Sequence, residues 1–143
     1  MTDKVTKDER SRMMAAVRGK DTKPEKLVRS GLFADGFRFR LHAKELPGKP
    51  DIVLPRYGTA MFVNGCFWHG HDCPRGRRPA SNTEFWNRKL DRNFERDQEK
   101  TRALENDGWF VEIVWECRLA DDLKRVLRRL RSKRTRLRKA ESS

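Results

Sequence analysis

Three cysteines and two histidines lie where a metal ion could gather them: Cys66, His69, His71 and Cys73 fall within eight residues, and Cys117 follows much later. Zinc prefers four tetrahedral sulfur and nitrogen ligands, so the three cysteines plus one histidine make a complete set with no cysteine left over. Residue types alone do not choose between His69 and His71, and the spacing matches no common zinc finger. The bland alternative is a small buried Cys117 and solvated histidines. A second candidate is Asp51 in Pro50-Asp51-Ile52-Val53-Leu54, an acid entering a strand. Such a carboxylate can hold Mg²⁺ beside a phosphodiester, where the ion stabilises charge on the attacking and leaving oxygens. Pro-Asp is also ordinary turn chemistry. Third, Phe67 and Trp68 stand in a polar loop and Trp86 begins a helix. Aromatics flanked by basic residues can wedge between bases, although Trp86 could equally join a core stripe with Leu90, and the loop pair could cover a metal.

The elements that must position these groups follow from periodicity and turn chemistry. Lys7 to Val17 carries Met13, Met14 and Val17 on one helical face and reads as an amphipathic arm or helix. Thr22 and Glu25 form a capping pair, predicting a helix from about Lys23 to Ala34 that stops at Asp35-Gly36. Phe37 to Leu41 alternates like a strand with one buried face, and Ile52–Leu54 with Thr59–Val63 reads as a hairpin at the sheet centre. The Gly-, Pro-, His- and Cys-rich stretch from Asn64 to Ser81 predicts a loop needing a staple. A long helix is expected from Glu84 to Asn106, with Phe85, Trp86, Leu90, Phe94, Thr101 and Leu104 on its stripe. A buried strand from Trp109 to Trp115 and a basic amphipathic helix from Ala120, fraying toward Ser143, complete the chain. This order predicts an α/β fold, a mixed central sheet flanked by helices. Three segments result: an arm over residues 1–20, a main domain over 21–119 and a basic tail over 120–143.

The chain has 143 residues, a formal charge of +13, a pI near 10.3 and a mean hydropathy of -0.95. That length suits a single core, and no apolar run could span a bilayer. The polar N-terminus lacks the apolar centre of a secretory signal, so a cytoplasmic location, without membrane partners, is expected. Positive excess attracts polyanions, above all nucleic acid, but names a class of partner and not a reaction.

Gly48-Lys49-Pro50-Asp51, Phe62-Val63-Asn64-Gly65-Cys66-Phe67-Trp68-His69-Gly70-His71-Asp72-Cys73, Thr83-Glu84-Phe85-Trp86 and Val114-Trp115-Glu116-Cys117 resemble the very-short-patch DNA mismatch repair endonuclease family. Ser11-Arg12-Met13-Met14 and Asp21-Thr22 up to Glu25 extend the resemblance, which runs from about residue 8 to residue 119. It implies a restriction-endonuclease-like fold with a structural zinc site, and a nick 5′ to the thymine of a T:G mismatch left by deamination of 5-methylcytosine. The implied setting is bacterial, cytoplasmic and nucleoid-associated. The implied molecule is a monomer on double-stranded DNA, with room for a mismatch-repair partner protein.

By the same resemblance, Asp51 and the main-chain carbonyl of Val63 would bind Mg²⁺, and His69 would be the catalytic histidine, handling protons of the attacking water. Cys66, His71, Cys73 and Cys117 would be the zinc ligands. Glu25 would orient water, its capping role standing beside this one, and Asp97 is a candidate second carboxylate. Phe67, Trp68 and Trp86 would enter the base stack from the major groove, with Met14 probing from the minor groove. A T:G wobble pair stacks less well than a matched pair, so wedging there costs less. This chain departs from some members in having Val63 for threonine, harmless to a backbone ligand, and Asn64 for histidine. Asparagine can hydrogen-bond but does not exchange protons near neutrality. Asn64 therefore either assists without titrating or slows turnover. Two other readings remain: a zinc-stapled DNA-binding module without nuclease activity, and a restriction-type endonuclease acting on matched DNA.

Overall fold

A computed structural model describes residues 21–142. The expected N-terminal arm, Met14 included, lies outside the described residues. Helix α1 (Lys23–Ala34) starts as its sequence dictates: Thr22 accepts from the Glu25 amide at 3.3 Å, while Glu25 Oε2 accepts from the Thr22 amide at 3.4 Å. Pro24 sits in the first turn, where its missing N–H costs nothing. The strands are β1 (Arg40–Leu41), β2 (Ile52–Leu54), β3 (Thr59–Asn64) and β4 (Phe110–Trp115). They form one mixed sheet in the order β1-β2-β3-β4, antiparallel up to β3 and parallel between β3 and β4. The expected hairpin is the central β2–β3 pair, with Ile52 opposite Met61 and Leu54 opposite Thr59.

Two expectations need correction. The predicted strand over Phe37–Leu41 pairs only at Arg40 and Leu41. The Phe37 amide is spent on the Leu32 carbonyl at the end of α1, and its ring is buried against Tyr57, so the chain reaches β2 only three residues later. On the long helix α2 (Thr83–Asn106), only Leu90 and Leu104 of the predicted stripe are buried, while Phe85 and Phe94 are exposed. A stripe this long exceeds the core available beneath it, and its apolar residues are divided between the core and the surface.

Helix α3 (Leu119–Ser142) continues through the basic segment without fraying before Ser142. Its Val126 and Leu130 are fully buried in the cluster that holds Val28 and Leu32 of α1, Ile52 and Leu54 of β2, Met61 and Val114. Helices thus flank a four-stranded sheet whose inner face is one core. No helix among the described residues is long and apolar enough to cross a membrane.

Candidate active site and cysteine–histidine cluster

The two sites are built on the two central strand ends. Asp51 stands immediately before β2, and its Oδ2 accepts a hydrogen bond from the Val63 amide of β3 at 2.8 Å. The acid thereby locks β2 to the strand that leads into the Gly65–Ser81 loop. Burial pushes the Asp51 carboxyl up to about 7. The Val63 amide opposes that shift, the Glu25 carboxylate adds to it, and the nearby His42 and His69 imidazoles counter it. A carboxylate held this unfavourably gains from a nearby cation.

Glu25 is 1% exposed. Its Oε2 caps α1, which leaves Oε1 facing His42 Nε2 at 3.5 Å and Arg29 Nη2 at 3.0 Å. Ligand atoms of Glu25, His42 and Asp51 lie within 4.8 Å of one another, close enough to share one metal ion. Sequence reasoning missed His42; its only signal was a histidine at the end of an alternating segment, nine residues before the key acid.

His69 Nδ1 lies 2.6 Å from Asp97 Oδ2. Asp97, the candidate second carboxylate, comes from α2 and stands against the His69 ring. Such a pair fixes the ring and leaves its other nitrogen available for a proton. Asn64 is buried at the end of β3, opposite Trp115.

On the other side of the same loop, Cys66, His71, Cys73 and Cys117 bring their ligand atoms within 4.8 Å of one another. His71 Nδ1 is 3.5 Å from Cys117 Sγ, and its ring stacks on Trp115 at 4.0 Å between centroids. Cys66 opens the loop just past β3, and Cys117 lies in a short 3₁₀ turn (Glu116–Arg118) just past β4, so the parallel pairing of those strands delivers both. Glu116 Oε1 accepts from the Cys66 amide at 3.1 Å. Burial pushes the Cys66 thiol up to about 12. Although burial also opposes ionisation of Cys73, hydrogen bonds from His71 and the Gly76 amide bring it down to about 7. Three sulfurs and an imidazole this close suit a tetrahedral ion, which would hold all three cysteines as thiolates. His69 is turned to Asp97, so the geometry separates the two histidines that residue types could not.

The aromatics form one group. Phe67 lies 4.9 Å from Trp68 and 5.5 Å from Trp86 between ring centroids, and Trp68 lies 6.0 Å from Trp86. All three are half-buried, so Trp86 belongs with the loop rather than with the core stripe. Exposed Phe85 extends the group, 5.3 Å from Trp86. Asn93 donates to the Trp68 carbonyl at 3.0 Å, and Arg78 donates to Asn87 and Asp91, fastening the loop to α2.

A mixed α/β body, a buried acid, an acid-paired histidine and a neighbouring cysteine–histidine cluster are the parts that a hydrolase acting on a polyanion with help from a metal ion would need. Residues 2–75 match the family model described as DNA mismatch endonuclease Vsr. Over 121 residues the chain is 50% identical to the type II nicking enzyme V.XorIIP of Xanthomonas oryzae, covering 85% of this chain and 89% of the relative. It is 50% identical over 119 residues to the type II nicking enzyme V.NmeAIP of Neisseria meningitidis, covering 83% and 85%. It is also 44% identical over 119 residues to the DNA mismatch endonuclease Vsr of Escherichia coli, covering 83% and 76%. The chain belongs to the Vsr DNA mismatch endonuclease family, and is accordingly a DNA nicking endonuclease.

Proposed function

We propose that this endonuclease nicks one strand 5′ to the thymine of a T:G mismatch, by Mg²⁺-dependent phosphodiester hydrolysis on a restriction-endonuclease-like fold. The observation that carries the reading is the buried Asp51 carboxylate, latched to the Val63 amide with the oriented His69–Asp97 pair near it. Asp51 and the Val63 carbonyl would hold Mg²⁺, which supplies charge stabilisation at the phosphate. With Nδ1 committed to Asp97, His69 presents Nε2 to take the proton of the attacking water. Glu25 uses Oε1 to orient that water while Oε2 keeps its cap. Asn64, at the end of β3, assists by hydrogen bonding without exchanging a proton.

Cys66, His71, Cys73 and Cys117 bind a structural zinc that staples the loop carrying His69 and the aromatics. Phe67, Trp68 and Trp86 enter the stack at the weakly paired mismatch, with residues 1–20, through Met14, reaching the opposite groove. The body over 21–119 carries the remaining assigned groups, and the basic helix over 120–143 adds phosphate affinity. The test is a nicking assay on matched and T:G duplexes of identical flanks, with and without Mg²⁺, using the native chain and Asp51→Ala. A nick confined to the T-containing strand of the mismatch, requiring Mg²⁺ and lost in Asp51→Ala, is expected. Equal cutting of the matched duplex would overturn the mismatch assignment, and cutting by Asp51→Ala would overturn the site.

A further inference from the structure

His42 has no role in the site just proposed, yet it is built into it. Its backbone is left-handed, with φ 48, and its amide donates to the Asp51 carbonyl at 3.1 Å, which fixes the imidazole beside the acid. Histidine adopts that conformation more readily than most residues but still at a cost. Nε2 lies 3.1 Å from Arg29 Nη2. A guanidinium can only donate, so in the tautomer that satisfies this contact Nε2 carries a lone pair, which a metal ion would take in place of the Arg29 N–H.

The neighbouring Glu25 Oε1 is a buried carboxylate oxygen without a hydrogen-bond partner, an arrangement that costs free energy unless a positive charge is supplied. Arg29 supplies part of it, lying 2.8 Å from Asp21 and 3.0 Å from Glu25. Asp51 stands within 4.8 Å of the same Glu25 and His42 atoms, so carboxylates outnumber the one guanidinium here and a divalent cation would offset the excess. Glu25, His42 and Asp51 offer that cation a nitrogen and oxygens within 4.8 Å.

We propose that His42 is a direct nitrogen ligand of the cation held by Asp51, so that this site favours an imidazole-accepting divalent ion such as Mn²⁺ over Mg²⁺. The proposal rests on the assignment of a divalent cation to Asp51. Mg²⁺ takes oxygen ligands and sheds water reluctantly, whereas transition metals accept imidazole, so adding a histidine to a carboxylate pair shifts the balance toward them. A structural histidine would leave that balance unchanged.

The test uses the full chain, zinc-supplemented so that the cysteine cluster is filled, titrated with Mn²⁺ alone. Free Mn²⁺ is read by electron paramagnetic resonance, and the bound ion is examined by pulsed resonance for nitrogen coupling. His42→Asn suits the left-handed backbone, and His42→Gln serves as a second variant should the first lose its thermal transition. The native chain should bind Mn²⁺ with a nitrogen coupling, and Mg²⁺ should displace it only in excess. Either His42 variant should lose the coupling and bind Mn²⁺ about tenfold more weakly, with Mg²⁺ affinity changed far less. Asp51→Ala should abolish binding. Unchanged coupling and affinity in both His42 variants, with binding still lost in Asp51→Ala, would overturn the His42 assignment and leave the Asp51 reading standing. Mn²⁺ binding that survives Asp51→Ala would overturn the Asp51 reading and this proposal with it.

Discussion

Asp51 pays for its position in water lost, and the pH dependence of the protein should record it. The folded carboxyl titrates near 7 against an ordinary value of 3.8. Between those values the folded chain keeps a proton that the unfolded chain releases, so this group's contribution to stability falls as pH rises and is lost above about pH 7. Without added divalent cation, Asp51→Asn should therefore stabilise the fold at about pH 8 by at most ~4 kcal/mol, less because some solvent reaches the carboxylate, and by much less at about pH 5. Denaturant unfolding at the two pH values checks this, and an equal effect at both would contradict it. Raising Mg²⁺ should shift the acid limb of the nicking profile to lower pH, because the ion competes with that proton. His69 and Asp97 make a different prediction. His69→Ala should lower kcat by about 10²–10⁴-fold. Asp97→Asn should lower kcat with KM nearly unchanged, since an oriented histidine acts in the reaction and not in binding. Single-turnover nicking against duplex concentration separates the two effects.

At the scale of elements, the loop after β3 is fastened to α2 by hydrogen bonds from Arg78 and Asn93 and gathers a cysteine–histidine group that could hold a metal ion. Cys117→Ser should release about one zinc per chain and lower the thermal midpoint, as metal analysis and calorimetry would reveal. Gly76 is a sharper probe, because a Cβ there would meet the His71 carbonyl oxygen at 1.9 Å, a backbone atom that cannot step aside. Gly76→Ala should loosen metal binding although it removes no ligand. The elements themselves were largely legible from residue order. The Thr22–Glu25 cap, the β2–β3 pair and the β4 strand appear where turn chemistry and apolar runs put them. The short β1 was not legible, because the Phe37 amide closing α1 is a tertiary choice that alternation cannot express. Nor was the fate of Phe85, Phe94 and Trp86, since a helical stripe does not tell how much core awaits it. His42 escaped because its value depends on a neighbour that the fold brings up, Glu25, seventeen residues earlier in sequence.

For the whole molecule, the charge of +13 is less available than its sum suggests. Arg129 pairs with Glu112, Arg131 and Arg134 with Asp35, and Arg125 donates to the Ile113 carbonyl, so much of the basic helix is tied to the body. Arg128, Arg136 and Arg138 stay exposed. Changing these three to glutamine should flatten the dependence of DNA affinity on salt, measured as log affinity against log salt, and leave the preference for mismatch over matched duplex intact. Leu130 belongs to the core despite its basic neighbours, and Leu130→Ala should cost about 2–5 kcal/mol of stability in denaturant unfolding.

The pairing of β3 with β4 runs from Thr59 opposite Phe110 to Asn64 opposite Trp115, and Cys66 and Cys117 each lie two residues beyond its end. A slip of one residue would carry Cys117 about 3.3 Å along the strand and turn its neighbours to the other face. Only correctly aligned strands can then complete the four-ligand set. The cluster would serve the folding chain as a proofreader of alignment, and in a refolding mixture the metal-loaded fraction would count the molecules whose strands had found their partners.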